Sequence, residues 1–245
     1  MKPGRSFSRS AILCLTAFSL GLCAATARSA EQELPEELKK VLEHLDEANK
    51  TLEDATARVR YRRQIPLLDE SEESDGKLKF KKPDLLHLKL KKPRNEEIYS
   101  TGKRWWIVSH DEKQVEVYEA AENQGNVSEA SFLSFGYGQS SHKLLEDYRG
   151  ALRHKRQQKG DGGEEKLTVW TLRFTPRDRD APARFAAIEV EVASDLWLPR
   201  RIVLHESDGE IIHKFILKNI SLNEGLKKKS FSYEPPKGYS VLQQN

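Results

Sequence analysis

The run "DGKLKFKKPDLLHLKLKKPRNEEIYSTGKRWWIV", residues 75–108, decides the fold. Apolar and basic residues alternate in its first half, with a proline between the two alternating segments. Successive side chains of a strand point to opposite faces of a sheet, so this pattern predicts neighbouring strands with one apolar face and one basic, solvated face. The apolar face is predicted to consist of Leu78, Phe80, Leu86, Leu88 and Leu90.

Similar short apolar segments follow each other along most of the chain, separated by Gly, Pro and Asp turn signals. Short strands with short links predict an antiparallel sheet. The clearest strands are 77–82, 85–90, 98–100, 104–108 and 114–118, then 166–174, 184–192, 201–205 and 210–217. The segment 62–75 is longer and more acidic than a tight turn needs, and we expect a flexible, solvated loop there.

Two segments have the helical rather than the strand period. Residues 35–51 carry Leu38, Val41, Leu42 and Leu45 at helical spacing after Pro35, which predicts one amphipathic helix. Residues 128–150 predict a short helix, a break at Gly136-Tyr137-Gly138, and a second helix that is capped by Ser140 or Ser141 and ends at Gly150. The second segment lies between two series of strands, so it is expected to cover one face of the sheet.

Trp105 and Trp106 are adjacent within a predicted strand. Their rings should therefore lie on opposite faces of the sheet, so only one of them can belong to the apolar face. For each tryptophan taken singly, structural packing is the simpler role.

The N-terminus has the composition of an export signal. Lys2, Arg5 and Arg9 precede an apolar run at 11–24, and Ala25-Thr26-Ala27 has the small residues that signal peptidase requires. Cleavage after residue 27 would remove three of the 41 basic residues and none of the 38 acidic ones, so the mature chain, 28–245, is nearly neutral. That balance argues against nucleic-acid binding, which normally requires a basic excess. The apolar run is shorter than a membrane span needs.

Both cysteines, Cys14 and Cys23, lie within this predicted signal. The mature chain is therefore expected to lack disulfides and thiolate metal sites. Leu22 precedes Cys23, where a lipoprotein signal requires a small residue, so we expect a protein that is free in the periplasm and not lipid-anchored.

Catalytic signatures are not found in the sequence. The seven histidines show no metal-binding spacing, and there is no nucleophile elbow or phosphate loop. We therefore expect no enzyme, no catalytic residue, no metal and no cofactor.

Two long segments resemble the LolA family of periplasmic lipoprotein carriers. Residues 76–108 resemble the strand pair, proline and tryptophan-bearing hairpin of that family, and residues 196–242 resemble its C-terminal strands. The second segment contains the family's Phe-x-Phe-x-x-Pro-x-Gly pattern as Phe231-Ser232-Tyr233-Glu234-Pro235-Pro236-Lys237-Gly238. The order of the elements also agrees with that of the family: signal, helix, strands, two-helix insert, strands.

The resemblance implies a fold and a mechanism. It implies an α+β, mainly β domain, a strongly curved antiparallel sheet that forms an unclosed β-barrel covered by helices. Residues 128–150 would be its lid, with Phe132, Leu133, Phe135, Leu144, Leu145 and Tyr148 facing a lipid-binding cavity lined by Leu78, Phe80, Leu86, Leu88, Leu90 and Trp105. Such a carrier takes acylated lipoprotein from an inner-membrane ABC transporter (LolCDE-like) and delivers it, as a monomer, to an outer-membrane receptor (LolB-like).

Lys82 departs from the family pattern, which has an arginine before this proline that helps to hold the lid closed. Lysine keeps the positive charge but lacks the planar guanidinium group of arginine, which can donate several hydrogen bonds at once. The resemblance therefore implies that Lys82 is a weaker lid latch, that is, a residue that holds the lid closed less firmly. The alternative is a lysine that only extends to solvent at a strand end. The apolar face of the predicted sheet likewise has a simpler interpretation, an ordinary hydrophobic core that binds no lipid.

Two other functions stay open at the level of the sequence. One is a module that senses lipid or envelope stress and binds a protein partner, as in RseB, although we expect no second domain of the RseB kind here. The other is a carrier for a different lipid.

Overall fold

The computed structural model describes residues 34–119, 129–159, 166–178 and 183–244. The predicted signal sequence, 1–27, lies outside these ranges. Two α-helices are described, α1 (Glu36–Thr51) and α2 (Ser141–Asp147). The strands are β1 (Asp54–Ile65), β2 (Glu70–Lys81), β3 (Leu85–Leu90), β4 (Glu96–Thr101), β5 (Arg104–Ser109), β6 (Gln114–Glu119), β7 (Tyr148–Lys159), β8 (Lys166–Pro176), β9 (Phe185–Ala193), β10 (Pro199–Glu206), β11 (Ile212–Leu222) and β12 (Ser240–Gln244).

All twelve described strands belong to one sheet, in the order β12-β6-β5-β4-β3-β2-β1-β11-β10-β9-β8-β7. Neighbours are antiparallel except β12, which pairs with β6 in parallel. The order has two ends, at β12 and β7, so the sheet curves without closing into a barrel. The predicted fold, a curved and mainly antiparallel unclosed sheet covered by helices, is confirmed.

The two faces of the sheet differ as the alternation predicts. Leu78 and Phe80 of β2 are 2% and 0% exposed and belong to the main apolar core, whereas Lys77, on the same strand, is exposed. We call the face that carries Leu78 and Phe80 the concave face and the opposite one the convex face. Helix α1 packs on the concave face through its apolar side chains Leu38, Val41, Leu42 and Leu45.

Helix α1 forms where its sequence predicts. Pro35 precedes the first turn, which carries Glu36 and Glu37, and Lys50 lies in the last turn. Acidic residues near the N-terminus and a basic residue near the C-terminus both interact favourably with the helix dipole. The prediction of one amphipathic helix over 35–51 is confirmed to within one residue.

The expectation of a flexible loop at 62–75 is wrong. Strands β1 and β2 continue through it as a paired hairpin to Ile65 and Glu70, joined by the short 3-10 helix Pro66–Leu68. Opposite charges explain the pairing, because Arg62 faces Glu73 with Nη2 and Oε2 2.6 Å apart. The acidic composition suggested a solvated loop, but each acid of β2 has a cross-strand partner on β1.

The insert at 128–150 is only partly helical. A 3-10 helix, Glu129–Ser134, leads through a turn to α2, and Ser128 lies outside the described residues. The second predicted helix ends too late, because from Tyr148 the chain is already strand β7 and Gly150 lies within that strand. Strand β7 was missed because it is an edge strand whose outer half is exposed and charged, without apolar alternation. We call residues 131–147 the lid.

The chain after β11 crosses the convex face. Its 3-10 helix Lys228–Phe231 contacts β3 and β4, and the chain then reaches the free side of β6, where it forms β12. We call residues 223–239 the C-terminal cover. The sequence predicted strands in this region but not a crossing of the outer face.

Candidate functional site

The predicted lining residues come together on the concave face. Pairing in register places Leu78 opposite Leu88 and Phe80 opposite Leu86, which makes one continuous apolar surface. All of the predicted lining side chains are buried in the main core, at no more than 6% exposure: Leu78, Phe80, Leu86, Leu88, Leu90 and Trp105. Their role in binding lipid stays a prediction.

The lid inserts its apolar side chains into the same core. Phe132 and Phe135 make edge-to-face contacts with Phe185 and Phe174 of the second half of the sheet, with ring centroids 5.0 Å and 5.8 Å apart. Leu133 and Leu144 are buried beside them, and Leu145 packs on the core while partly exposed. Tyr148 also belongs to the core, but it lies on β7 and not on the lid.

Tyr137 is a lid residue that the sequence analysis missed. Its side chain is 1% exposed, and its hydroxyl donates to the carbonyl of Pro199 over 2.8 Å. Burial raises the pKa of Tyr137 above its ordinary value, so the hydroxyl stays a donor. In the sequence this tyrosine looked like part of a Gly-Tyr-Gly break, and no local signal distinguishes it from a turn residue.

Two side chains of α1 hold the lid by hydrogen bonds. Asn49 Oδ1 accepts from the backbone N–H of Gly138 over 2.9 Å. Asp46 accepts from the N–H and the hydroxyl of Ser141, over 2.8 Å and 2.7 Å. Asp46 therefore caps α2 from another helix, whereas Ser140 makes no side-chain cap. The prediction places the N-cap correctly at Ser140, but the capping bonds come from Asp46 and not from a serine side chain.

Lys82 contacts α1. Its ammonium donates to the backbone carbonyls of Asn49 and, over 3.3 Å, of Lys50, at the last turn of the helix. A cation is favourable there because the helix ends in unpaired carbonyls. Since Asn49 in turn binds Gly138, Lys82 connects to the lid through one residue. The lid-latch role of Lys82 stays a prediction.

Gly136 and Gly138 fit the closed lid tightly. Their φ angles are +73° and +114°, a region that favours glycine. A Cβ at Gly138 would lie 2.5 Å from Phe80 Cζ, and one at Gly136 would lie 2.6 Å from Pro199 Cδ. Close packing against the sheet thus requires both glycines, whatever part they take in lid movement.

A cleft of about 430 Å³ opens beside the lid. Its lining combines one edge of the concave face with the lid: Pro83, Asp84, Leu86, Ser100, Gly102, Trp105, Ser131, Phe132, Ser134, Gly138, Gln139, Ser140 and Lys143. Leu86, Trp105 and Phe132 also belong to the core, while the serines, Asp84 and Lys143 make the lining partly polar. The cleft therefore offers an amphipathic ligand a path from solvent to the concave face.

The family model of the outer membrane lipoprotein carrier protein LolA matches residues 63–234. The chain belongs to the LolA family.

Curated relatives of this LolA-family chain agree with the match. It is 28% identical, over 171 residues, to an outer-membrane lipoprotein carrier protein of Legionella pneumophila (strain Corby), and the alignment covers 70% of this chain and 74% of the relative. It is 24% identical over 173 residues to the protein of the same name from Hahella chejuensis, covering 71% and 74%. A solved structure of an uncharacterized conserved protein from Thermus thermophilus has the same fold, with TM-score 0.52, 13% identity and coverage of 85% and 100%.

The two tryptophans of this LolA-family chain lie on opposite faces, as predicted. Trp105 is in the concave core, whereas Trp106 packs against a small convex cluster of Val108, Val115 and Val117. Tyr233 and Tyr239 of the C-terminal cover complete that cluster. Trp106 therefore has a structural role under the cover.

Membrane-spanning helices and metal-binding clusters are both absent from the residues that the structure describes. In those ranges no helix is both long and apolar enough to span a bilayer. The same ranges contain no group of three or more His, Cys, Asp or Glu side chains arranged to hold a metal ion.

Proposed function

We propose that this protein is a periplasmic carrier that binds the acyl chains of a lipoprotein between the concave face and the lid, and shuttles the lipoprotein from the inner to the outer membrane. The observation that carries the proposal is the continuity of the apolar core from the sheet through the lid to an open cleft. Membership of the LolA family supports the choice of cargo. The proposal gives the chain no catalytic role and no cofactor.

Energetics explain why a carrier needs a lid made of apolar side chains. Burial of an acyl chain contributes about 0.8 kcal/mol per CH₂, so one long chain contributes on the order of 10 kcal/mol before the costs of binding. Such a gain would retain the cargo permanently in a preformed empty cavity. Here Phe132, Leu133 and Phe135 pack into the core of the concave face, so a cargo that enters would have to displace them, which offsets part of the gain.

The remaining parts of the proposal follow the family. The segment 1–27 would be cleaved on export, and the mature monomer would receive cargo from an ABC transporter of the inner membrane (LolCDE-like) and pass it to a receptor of the outer membrane (LolB-like). Lys82 would contribute to lid closure by fixing the end of α1, where Asn49 binds Gly138.

Binding of the purified mature chain to a fluorescent triacylated lipopeptide tests the proposal. We expect saturable binding that the same peptide without its acyl chains does not show. Leu88→Asp should abolish this binding, because it places a charge within the proposed cavity. Lys79→Asp, on the neighbouring strand but on the convex face, is the matched control and should bind normally.

Circular dichroism must show that each variant is folded. If Leu88→Asp does not fold, Leu86→Asn replaces it, because Leu86 lies both in the core and in the lining of the cleft. Normal lipopeptide binding by a folded variant of this kind would place the acyl chains elsewhere and contradict the proposal.

A further inference from the structure

Several charges on the convex face are arranged in cross-strand pairs of opposite sign. Three pairs lie directly opposite each other, and in each the side-chain nitrogen and oxygen are no more than 2.6 Å apart. They are Arg62 with Glu73, Arg104 with Glu119, and Arg173 with Glu189. Arg201 and Glu191 repeat the arrangement between β9 and β10. Directly opposed residues of opposite charge stabilise a sheet, and opposed like charges destabilise it.

In one row of the same face, three successive cross-strand positions are all cations. Lys218 of β11 lies opposite Arg58 of β1, and Arg58 lies opposite Lys77 of β2. All three side chains are exposed, and in the ranges that the structure describes none of them has a carboxylate at ion-pair distance. Three directly opposed cations cost the sheet stability.

The row surrounds a groove of about 470 Å³. Lys91 adds a fourth cation at its edge, where its N–H donates to the carbonyl of Asp75. The carboxylate of Asp75 is also in the lining, but Arg60 occupies it, with Nε and Oδ1 3.3 Å apart. Next to Lys218, Asn219 has a φ of +50° within a β-bulge. Bulges locally redirect side chains, and here one lies beside the row.

We propose that this groove docks an extended acidic segment of a partner protein. Neighbouring strands are about 4.8 Å apart, and alternate residues of an extended chain are about 6.6 Å apart. Two acidic residues spaced by one residue can therefore reach different cations of the row. Carboxylates would supply the charge that the sheet lacks at this place and offset the repulsion within the row.

The shape and the surroundings favour a narrow occupant over an anionic bilayer. The cations surround a recess, and the same face of the adjoining hairpin carries Glu73 and Asp75. A planar anionic surface large enough to contact the row would also approach these carboxylates. The groove lies on the convex face, away from the lid, so this inference goes beyond the proposed cargo and holds whatever the concave face binds.

The test measures fluorescence anisotropy of a labelled oligoglutamate peptide with the mature protein at low salt. The variant Arg58→Gln/Lys77→Gln/Lys218→Gln should bind the peptide at least about tenfold more weakly than the wild type. A control with the same change in net charge, Lys39→Gln/Lys103→Gln/Lys237→Gln, removes three exposed and dispersed lysines and should bind within about twofold of wild type. The groove variant should also have a higher Tm, because it loses the like-charge repulsion.

Two results would overturn the inference. One is equal loss of peptide binding in the groove variant and the control, which would mean that net charge alone attracts the peptide. The other is cation-dependent binding to phosphatidylethanolamine vesicles containing phosphatidylglycerol without binding to the peptide, which would make a bilayer the occupant. Lipopeptide binding by the groove variant is measured in parallel and should be normal. Failure of the docking inference can therefore be distinguished from failure of the carrier proposal.

Discussion

Two segments of this molecule each cover one face of the same sheet, but they are attached differently. The lid on the concave face is held by apolar insertion and by bonds from Asp46, Asn49 and Pro199, and it borders an open cleft. The C-terminal cover on the convex face is fixed at both ends. At its start the buried carboxylate of Asp54 accepts from the N–H groups of Glu224 and Leu226, over 2.9 Å and 2.8 Å. At its end β12 is part of the sheet.

Between its ends the C-terminal cover is also bound to a polar cluster. Tyr233 stacks on Tyr99 with ring centroids 4.7 Å apart, and the hydroxyl of Tyr99 donates to Glu97 over 2.7 Å. His87, Lys89 and His110 also lie within hydrogen-bond distance of the Glu97 carboxylate. Burial raises the pKa of Tyr233 to about 12, so this ring stays neutral under the cover.

The C-terminal cover is therefore the more firmly attached of the two segments, and the proposed carrier function requires only the lid to move. Both covers bury aromatic side chains, and the lid also borders the cleft. We therefore expect substitutions in the C-terminal cover to change stability and leave lipid binding intact, and substitutions at the lid anchors to change lipid binding at a smaller cost in stability.

The largest expected effect is that of Phe231→Ala in the C-terminal cover. Phe231 is 1% exposed, and truncating a buried phenylalanine typically costs about 3–5 kcal/mol. Urea unfolding should show this loss, while the folded fraction binds lipopeptide normally. Lys229→Ala, exposed in the same 3-10 helix, is the control and should be neutral. Weakened lipopeptide binding by folded Phe231→Ala would mean that the two covers are coupled.

A smaller loss of stability, about 2 kcal/mol, is expected for Glu97→Gln, because a buried hydrogen-bonded charge is removed. The bonds with His87, Lys89 and Tyr99 lower the pKa of Glu97 far below 4.5. Its ionised form therefore stabilises the fold fully above pH 4.5, and this contribution is lost as the pH falls through the lowered pKa.

Urea unfolding at several pH values tests this expectation. The difference between wild type and Glu97→Gln should be largest at neutral pH and should shrink under acid conditions. Glu112→Gln, at an exposed position between β5 and β6, should show no such trend. A difference that is independent of pH would contradict the assigned role of the carboxylate.

The smallest effect on stability is expected for Asp46→Ala. Loss of a helix cap costs about 1 kcal/mol, yet the lid loses both of its bonds to Asp46. We expect tighter lipopeptide binding, because the closed lid competes with the acyl chains. Asp46→Asn keeps one acceptor and should lie between wild type and Asp46→Ala. Weaker binding by Asp46→Ala would show that the anchor supports the bound state.

The sequence was sufficient for the concave face and for α1, because both depend on a local period. Leu78 and Leu88 alternate with basic residues, and the structure pairs them. The lid anchors were not predictable, since Asp46 and Ser141 meet only after the chain has folded. The path of the C-terminal cover was equally hidden, because Phe231 and Tyr233 pack on residues more than a hundred positions earlier in the chain.

Charges misled the sequence analysis in two places. The hairpin around Glu73 and the edge strand β7 both lack apolar alternation, yet both are strands. In the hairpin, cross-strand ion pairs such as Arg62 with Glu73 replace apolar burial as the local reason for pairing. Single-residue patterns do not contain this information, because it depends on the register between strands.

Hydrogen exchange of the mature protein with and without triacylated lipopeptide tests the central claim most directly. If the acyl chains replace the lid on the concave face, amides of residues 131–147 should exchange faster in the complex, including Gly138, whose N–H bonds to Asn49. Amides of residues 223–239 should keep their protection. Unchanged protection of the lid in a saturated complex, or loss of protection confined to the C-terminal cover, would contradict the account.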